Sequence, residues 1–374
     1  MSANNRIFYA CQAVVVAPTG SSIDQLYSSD VVHGLQSVGI TTNFNLEQAF
    51  ELGQLEIYEN IEGIPDVEVT LEKVLDGYPL IYHLATTGAT SENLTARSKQ
   101  RCDLYLAIGQ EERSSMTFNN GVYDHVGVAC TGMYTSSVSY TIPVDGNSTE
   151  SITLVGNNKK WFTNGSAFNN SDTLFDNLDG LDKPLALAPG SGGVQRREDV
   201  LLDKCILPQS IQGVNGTGVG NGCFGTPPSL SSGNRVHIQN ITISTDFGRE
   251  DIFELGRKTP YYRPAGFPIE VTCEIEAISV SGDFVTALED GDPLLYNTDA
   301  SGNNTREEAI FIRTRAGYGW DLGNKNRLTS VSYGGGDAGG GNVSCTYSYS
   351  NFNVLDIQHS GTIKVTKLGH LVNV

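Results

Sequence analysis

Residues 36–53 (QSVGITTNFNLEQAFELG) and 239–256 (QNITISTDFGREDIFELG) are two versions of one passage. Aligned without a gap, they agree at Gln36/Gln239, Ile40/Ile243, Thr42/Thr245, Phe44/Phe247, Glu47/Glu250, Phe50/Phe253, Glu51/Glu254, Leu52/Leu255 and Gly53/Gly256. Mild exchanges such as Val38/Ile241, Thr41/Ser244 and Asn43/Asp246 fill most of the rest. A block this similar, met twice in one chain, marks a duplicated folding unit. Such a unit serves repeated geometry more naturally than one catalytic centre. A chain of 374 residues leaves each copy enough length to bury its own core.

The residues after each block have the period of a strand. In 67–72 (VEVTLE), Val67, Val69 and Leu71 alternate with Glu68, Thr70 and Glu72. In 269–276 (IEVTCEIE), Ile269, Val271, Cys273 and Ile275 alternate with Glu270, Thr272, Glu274 and Glu276. Alternation sends the apolar set to one face of a sheet and the acidic set to the other. Matching VEVT with IEVT places this part of the repeat one residue off the earlier register. Further strands are expected at 7–17, 104–108, 134–144 and 152–154, and in the second half at 200–211, 310–312, 345–349 and 363–365. Half-polar strands of this kind suit antiparallel sheets with one wet face.

The expected fold is mainly β: two tandem β-sandwich or barrel-like domains, each with about one short helix, the first at 92–101. The expected boundaries are 1–160 for the first domain, 161–196 for a linker and 197–374 for the second. Residues 212–235 and 334–341 read as Gly-rich loops. The apolar stretch from Ile7 to Val16 reads as a first strand rather than a signal peptide. No apolar run is long enough for a membrane helix.

Charge narrows the function. Lys and Arg total 24 against 42 Asp and Glu, for a net charge of −18. No basic run exceeds a pair, such as Lys159-Lys160 and Arg196-Arg197, so nothing here grips a phosphate backbone. Seven cysteines at wide spacing, with no CxxC, read as small core hydrophobes in a reducing compartment. GxSxG, HExxH, P-loop and EF-hand patterns are absent. The glycines of 216–222 lack the Gly-Lys-Ser/Thr ending that a phosphate loop needs. His33 and His237 precede the two blocks at nearly equivalent places and read as inherited strand-start residues. Acidic pairs such as Glu111-Glu112 and Glu307-Glu308 read as solvated faces. The expectation is no enzyme, no metal and no cofactor.

The strand (ITTNF, ITISTDF), the acidic-apolar turn ending in Glu-Leu-Gly and the Pro-preceded alternating strand (PDVEVTLE, FPIEVTCEIE) together resemble the tail tube proteins of tailed bacteriophages. The resemblance covers 32–76 and 236–280 well, and 100–156 and 308–366 more loosely. It implies a major tail tube subunit whose sheets join around a ring, with rings stacked on a DNA-conducting lumen for genome ejection. A duplicated chain implies three chains imitating a hexamer, with six chains per ring as the runner-up. It also implies a virion tail assembled in the host cytoplasm, and as partners further copies of the chain, tail terminator, baseplate or tip proteins, a tape measure protein and DNA in transit. On that basis Glu68, Glu72, Glu270, Glu274 and Glu276 are expected to face the lumen. The turns carrying Phe50, Glu51, Gly53, Phe253, Glu254 and Gly256 are expected at subunit or ring interfaces. The competing reading is a two-domain β-sandwich adhesin or carbohydrate-binding module, with Trp161, Tyr261, Tyr262 and Trp320 stacking on sugars.

Overall fold

The computed structural model describes residues 12–20, 31–53, 55, 57–108, 126–163, 193–202, 205–212, 237–278, 285, 297–298, 304–305, 307–335 and 341–359. The expected strand at 363–365 and most of both Gly-rich loops lie outside this set. The first half contains β1 (Gln12–Pro18), β2 (Leu35–Asn43), β3 (Leu46–Phe50), β4 (Ile57–Glu62), β5 (Asp66–Val74), α1 (Ile81–Ala85), α2 (Leu94–Arg97), β6 (Arg101–Ile108), β7 (Val126–Pro143), β8 (Thr149–Gly156) and β9 (Asn158–Thr163). The second contains β10 (His237–Asp246), β11 (Glu270–Ile278), β12 (Asn297–Thr298), β13 (Asn304–Thr305), β14 (Phe311–Arg313), β15 (Gly319–Asp321), β16 (Arg327–Gly334), β17 (Ser344–Phe352) and β18 (Asp356–Gln358). The fold is mainly β, as the alternation requires, and the paired strands are antiparallel.

The duplication is visible strand by strand. In the first half a meander runs β2-β5-β8-β7; in the second it runs β10-β11-β17-β16. The pairing of β2 with β5 slips by one residue between Leu35 and Ser37, and that of β10 with β11 between Ile238 and Asn240. The extra residue is Gln36 in one copy and Gln239 in the other. Each side-chain amide donates to the carbonyl two residues back, Gly34 O at 3.2 Å and His237 O at 3.3 Å. Identical glutamines thus sit at identical β-bulges.

Beyond the bulge, Thr42 pairs with Val67, whereas its counterpart Thr245 pairs with Val271. Val67 therefore answers Val271 and not Ile269, which corrects the register that matching VEVT with IEVT suggested. A second bulge falls between Thr135 and Ser137 of β7 and between Leu328 and Ser330 of β16. It is followed by Ser137-Val138-Ser139-Tyr140 in one copy and Ser330-Val331-Ser332-Tyr333 in the other.

A second layer covers the apolar face of each meander. In the first half it is β1, β6, the front part of β7 and β9. In the second half β14, β15 and β18 repeat that layer in shortened form, and the strap through Val200 and Ile206 takes the place of β1. The expected opening strand at 200–211 is instead this strap, held by two isolated bridges and followed by a 3₁₀ turn at Gln209–Gln212. Val67, Val69, Leu71, Val271, Cys273 and Ile275 are all buried between layers. Burying a large aliphatic side chain contributes about 1.5–3 kcal/mol. Cys102, Cys130, Cys205, Cys273 and Cys345 are free and buried, as small apolar residues.

The helix expected at 92–101 is shorter than that stretch, and much of the second half's corresponding stretch, 301–309, lies outside the described residues. The stretch at 92–101 yields only the four-residue α2, capped by the Asn93 side chain on Ala96 N at 2.9 Å. Among the described residues the other α-helix is α1, also in the first half, which has no side-chain cap of its own. Its cap comes from a distant strand. Glu150 of β8 accepts from Ile81 N at 2.7 Å and Tyr82 N at 3.1 Å, two of the donors that a helix start leaves unbonded. Tyr140 Oη donates to the same carboxylate at 3.0 Å. Across the β5–β8 pairing lies Lys73, fully buried, bonded to His33 O at 2.7 Å and Asp76 at 2.8 Å.

The two halves meet along two seams. In one, β10 pairs with β7 in an unbroken ladder from Asn240↔Pro143 to Asp246↔Ser137. The two meanders thereby become one continuous run of eight strands, ordered β16-β17-β11-β10-β7-β8-β5-β2, within a sheet of eleven that β1, β6 and β9 complete by way of β7. In the other, α1 and the turn before it rest on the second half's small sheet. His83 Nε2 bonds Ile357 O at 3.0 Å, His359 Nε2 bonds Gly77 O at 3.0 Å, and Tyr318 Oη donates to Tyr78 O at 2.6 Å.

Burial, with Arg97 nearby, lowers the His83 imidazole from 6.5 to about 4, and burial lowers His359 as well. The unfolded chain takes up a proton below pH 6.5 while the folded His83 stays neutral. Stability is therefore held above pH 6.5 and lost as pH falls toward 4. The expected loss from His83 is about 3 kcal/mol across that window, read from urea midpoints, and the decline should be shallower in His83→Gln. An equal decline in both proteins rejects the assignment.

Candidate functional site

The outer face of the eight-stranded sheet is built by alternation alone. Every second residue of β5 and β11 points away from the core, which brings Glu68, Glu72, Glu270, Glu274 and Glu276 onto one surface although they come from different halves. The other six strands offer that face mostly Ser, Thr, Asn and Gly, with His237 and Asp246 in addition and Pro143, Val155 and Phe352 as apolar exceptions. No lysine of these strands lies on it. Arg327 stands at one corner and pairs with Glu307 at 3.6 Å. The face is thus polar, acidic and nearly free of cations. It offers an anion neither a clamp nor a donor cluster.

The sheet ends in two edges. Among the described residues, β2 has no strand partner on the side away from β5, and β16 has none on the side away from β17. Edges this long with unpaired backbone groups are templates for another chain.

The turns expected at interfaces project beside the sheet. β3 and β4 form a hairpin whose apolar side chains stand in solvent, Phe50 at 70% exposure among them. Its second copy is a looser hairpin closed by the Ile252↔Tyr262 bridge, with Phe253 exposed as well. Leu52 and Leu255 are fully exposed at the tips, so the repeated Phe-Glu-Leu-Gly passage does not enter either core. Gly53 and Gly256 adopt φ of 94° and 84°, the left-handed turn that their glycines permit. Glu51 and Glu254 lie on the same exposed turns, and Glu254 meets Arg257 at 3.5 Å.

The second hairpin is fastened by two arginines, whereas at the base of the first Asn45 bonds Ile64 O at 3.0 Å and Asp66 at 2.6 Å. Arg249 donates to Thr135 O at 2.8 Å, Ser98 O at 2.7 Å and Arg263 O at 3.2 Å, and covers the rings of Tyr134 and Phe247 at 5.0 and 5.3 Å. Arg263 grips Asp251 and lies 3.6 Å from Asp66. The place of Arg249 is taken in the first copy by Leu46, which is exposed. A shallow cavity of about 330 Å³ lies between the hairpin bases, lined by Asn45, Glu62, Asp66, Asp251 and Lys258 among others.

Of the aromatics considered for sugar stacking, Trp320 is fully buried against Tyr140, at 5.3 Å between rings, and cannot reach a sugar. Trp161, Tyr261 and Tyr262 are exposed. His33 is buried and stacked on Tyr78, at 4.2 Å between rings, while His237 opens β10 in solvent. Among the described residues no cluster of three or more His, Cys, Asp or Glu is placed to hold a metal.

Sequence reasoning overlooked Lys73, Glu150, Arg249 and the Ser-Val-Ser-Tyr copies. The first two did leave a signal. Both continue the inward phase of an alternating strand, where a charged residue must be paired to be tolerated.

No family model matches the chain, and no curated protein does. Among solved structures, the cap of the anti-feeding prophage (the tube-terminating cap) matches with 14% identity and a TM-score of 0.31, over 44% of this chain and 95% of that one. A chain of the sheath–tube complex of the extracellular contractile injection system PVC, in its extended state, matches with 11% identity and a TM-score of 0.30, over 43% of this chain and 94% of that one. These neighbours are components of phage-tail-like particles.

Proposed function

We propose that this chain is a structural, non-catalytic subunit of a phage-tail-like tube, in which three copies close a ring and rings stack around a lumen. The observation that carries the reading is the eight-stranded sheet with a wet, acidic face and two unpaired edges. Three chains of eight strands give twenty-four strands. At about 4.8 Å spacing and a tilt of roughly 40°, they close into a barrel on the order of 45–50 Å across. Edge closure removes the exposed ladders that would otherwise aggregate. The glutamates then line the bore. Duplex DNA carries one negative charge per about 1.7 Å of axis, so an acidic wall lets a genome slide where a basic wall would hold it. The partners are further copies of the chain, tape measure, terminator and baseplate or tip proteins, and the place is a virion tail.

Negative-stain microscopy of the purified chain tests the assembly. Rings or tubes are expected, and the symmetry of the ring distinguishes three copies from six; scattered monomers at high concentration reject the reading. For the bore, changing Glu270, Glu274 and Glu276 to Lys is expected to slow DNA release while rings still form. Unchanged release kinetics remove the lumen assignment.

A further inference from the structure

We infer that the β2 edge of one copy pairs with the β16 edge of the next in the register of the β10/β7 ladder within the chain, so that the protein carries an internal template of its own intersubunit contact. The inference rests on the ring reading and names the surfaces and the pairing that it requires.

The two edges are equivalent to strands that already pair. β2 is the first copy of β10, and β16 is the second copy of β7: they share passage, bulges and position in the meander. β10 and β7 are joined; β2 and β16 are the two ends of the sheet. The contact is head-to-tail, because each end is the counterpart of the other's partner, and a head-to-tail contact generates a ring when the rotation closes.

Exposure supports the match. Tyr140 and Phe247 are buried where the ladder joins the halves, both at 0% exposure. Their counterparts on the free edges are left in solvent, Tyr333 at 58% and Phe44 at 64%. Ile243 and Val138 are buried at the junction, while Ile40 and Val331 are only partly so. These residues that the internal ladder covers thus have more exposed twins at the ends of the sheet.

The register follows from the pairs already made. Ile243↔Tyr140 becomes Ile40 opposite Tyr333 of the neighbouring copy, Thr245↔Val138 becomes Thr42 opposite Val331, and Ser244↔Ser139 becomes Thr41 opposite Ser332. Within the chain, Phe247 N donates to Ser136 O at 2.8 Å and Val144 N to Gln239 O at 2.7 Å. The alternate pairs between them, Ser244↔Ser139 included, exchange no hydrogen bonds. Such pairs hold their Cα atoms about 4.5 Å apart, within the range of a disulfide.

Thr41 and Ser332 are exposed, so Thr41→Cys with Ser332→Cys leaves the core untouched. In the full chain, oxidation of this double variant is expected to give disulfide-linked multimers that stop at the ring number. Each single variant should give none. A shifted control, Thr41→Cys with Ser330→Cys, sets the diagonal partners about 7–8 Å apart and should cross-link at least tenfold more slowly. Microscopy on the same samples separates the outcomes. Rings without in-register cross-links, or with the shifted pair equally fast, overturn the register and leave the ring reading standing. In-register cross-links in an open-ended ladder support the register and overturn the closed ring. Neither rings nor cross-links overturn both.

Discussion

Replacing Glu150 by Ala is expected to lower stability by about 3–5 kcal/mol, measured by urea denaturation. The carboxylate is fully buried and receives three donors: Ile81 N, Tyr82 N and Tyr140 Oη. Leaving a buried donor unsatisfied costs about 1–3 kcal/mol each, and the short α1 has no second cap to fall back on. Burial raises the pKa of this group, while the two backbone donors, Lys73 and Tyr140 oppose that shift. Glu150→Gln keeps the shape but sets an amide donor against one of the existing donors, so a loss of about half that size is expected. If the Ala variant unfolds within about 1 kcal/mol of the parent, the cap is not what holds α1.

The same residue shows what the sequence displays and what it conceals. The strands and the duplication are legible because alternation and repetition are local patterns: 67–72 and 269–276 carry their inward and outward faces within a few residues. The outward glutamates are legible for the same reason, and the structure brings all five to one surface. α1 is not legible, since its cap lies 69 residues away in sequence and becomes a neighbour only when β5 and β8 pair. The second copy carries Ala277 and Cys345 where the first has Lys73 and Glu150, so even the repeat gives no hint of the helix cap. The Ser-Val-Ser-Tyr copies escaped notice because four small or common residues are weak evidence until the bulges align them. The Phe-Glu-Leu-Gly turns were legible as turns with left-handed glycines. That their Phe and Leu side chains stand outside the core was not, because apolar composition alone does not say which partner covers it.

Arg249 differs between the copies, and its removal is the second large effect expected. Arg249→Ala should lower stability by about 2–4 kcal/mol, since it leaves Thr135 O and Ser98 O without their donor and uncovers the rings of Tyr134 and Phe247. Burial lowers the guanidinium pKa only to about 10, so the group is cationic at neutral pH and its bonds are charge-assisted. Arg249→Lys should recover little, because one ammonium does not span three carbonyls in a plane. Arg249→Leu imitates Leu46 of the first copy: it restores apolar contact with Phe247 but no hydrogen bond, and should recover part of the loss. Hydrogen exchange should quicken across 249–265 in the Ala and Lys variants while the β5–β8 ladder keeps its protection. Unchanged exchange in that segment would show the hairpin to be held by other contacts. The difference between the copies has a physical sense. At the junction inside the chain the half-buried Arg249 clamps its hairpin to Thr135 O and Ser98 O of the first half. The matching place at the free end carries Leu46, an exposed apolar side chain that a neighbouring copy would cover in the proposed ring.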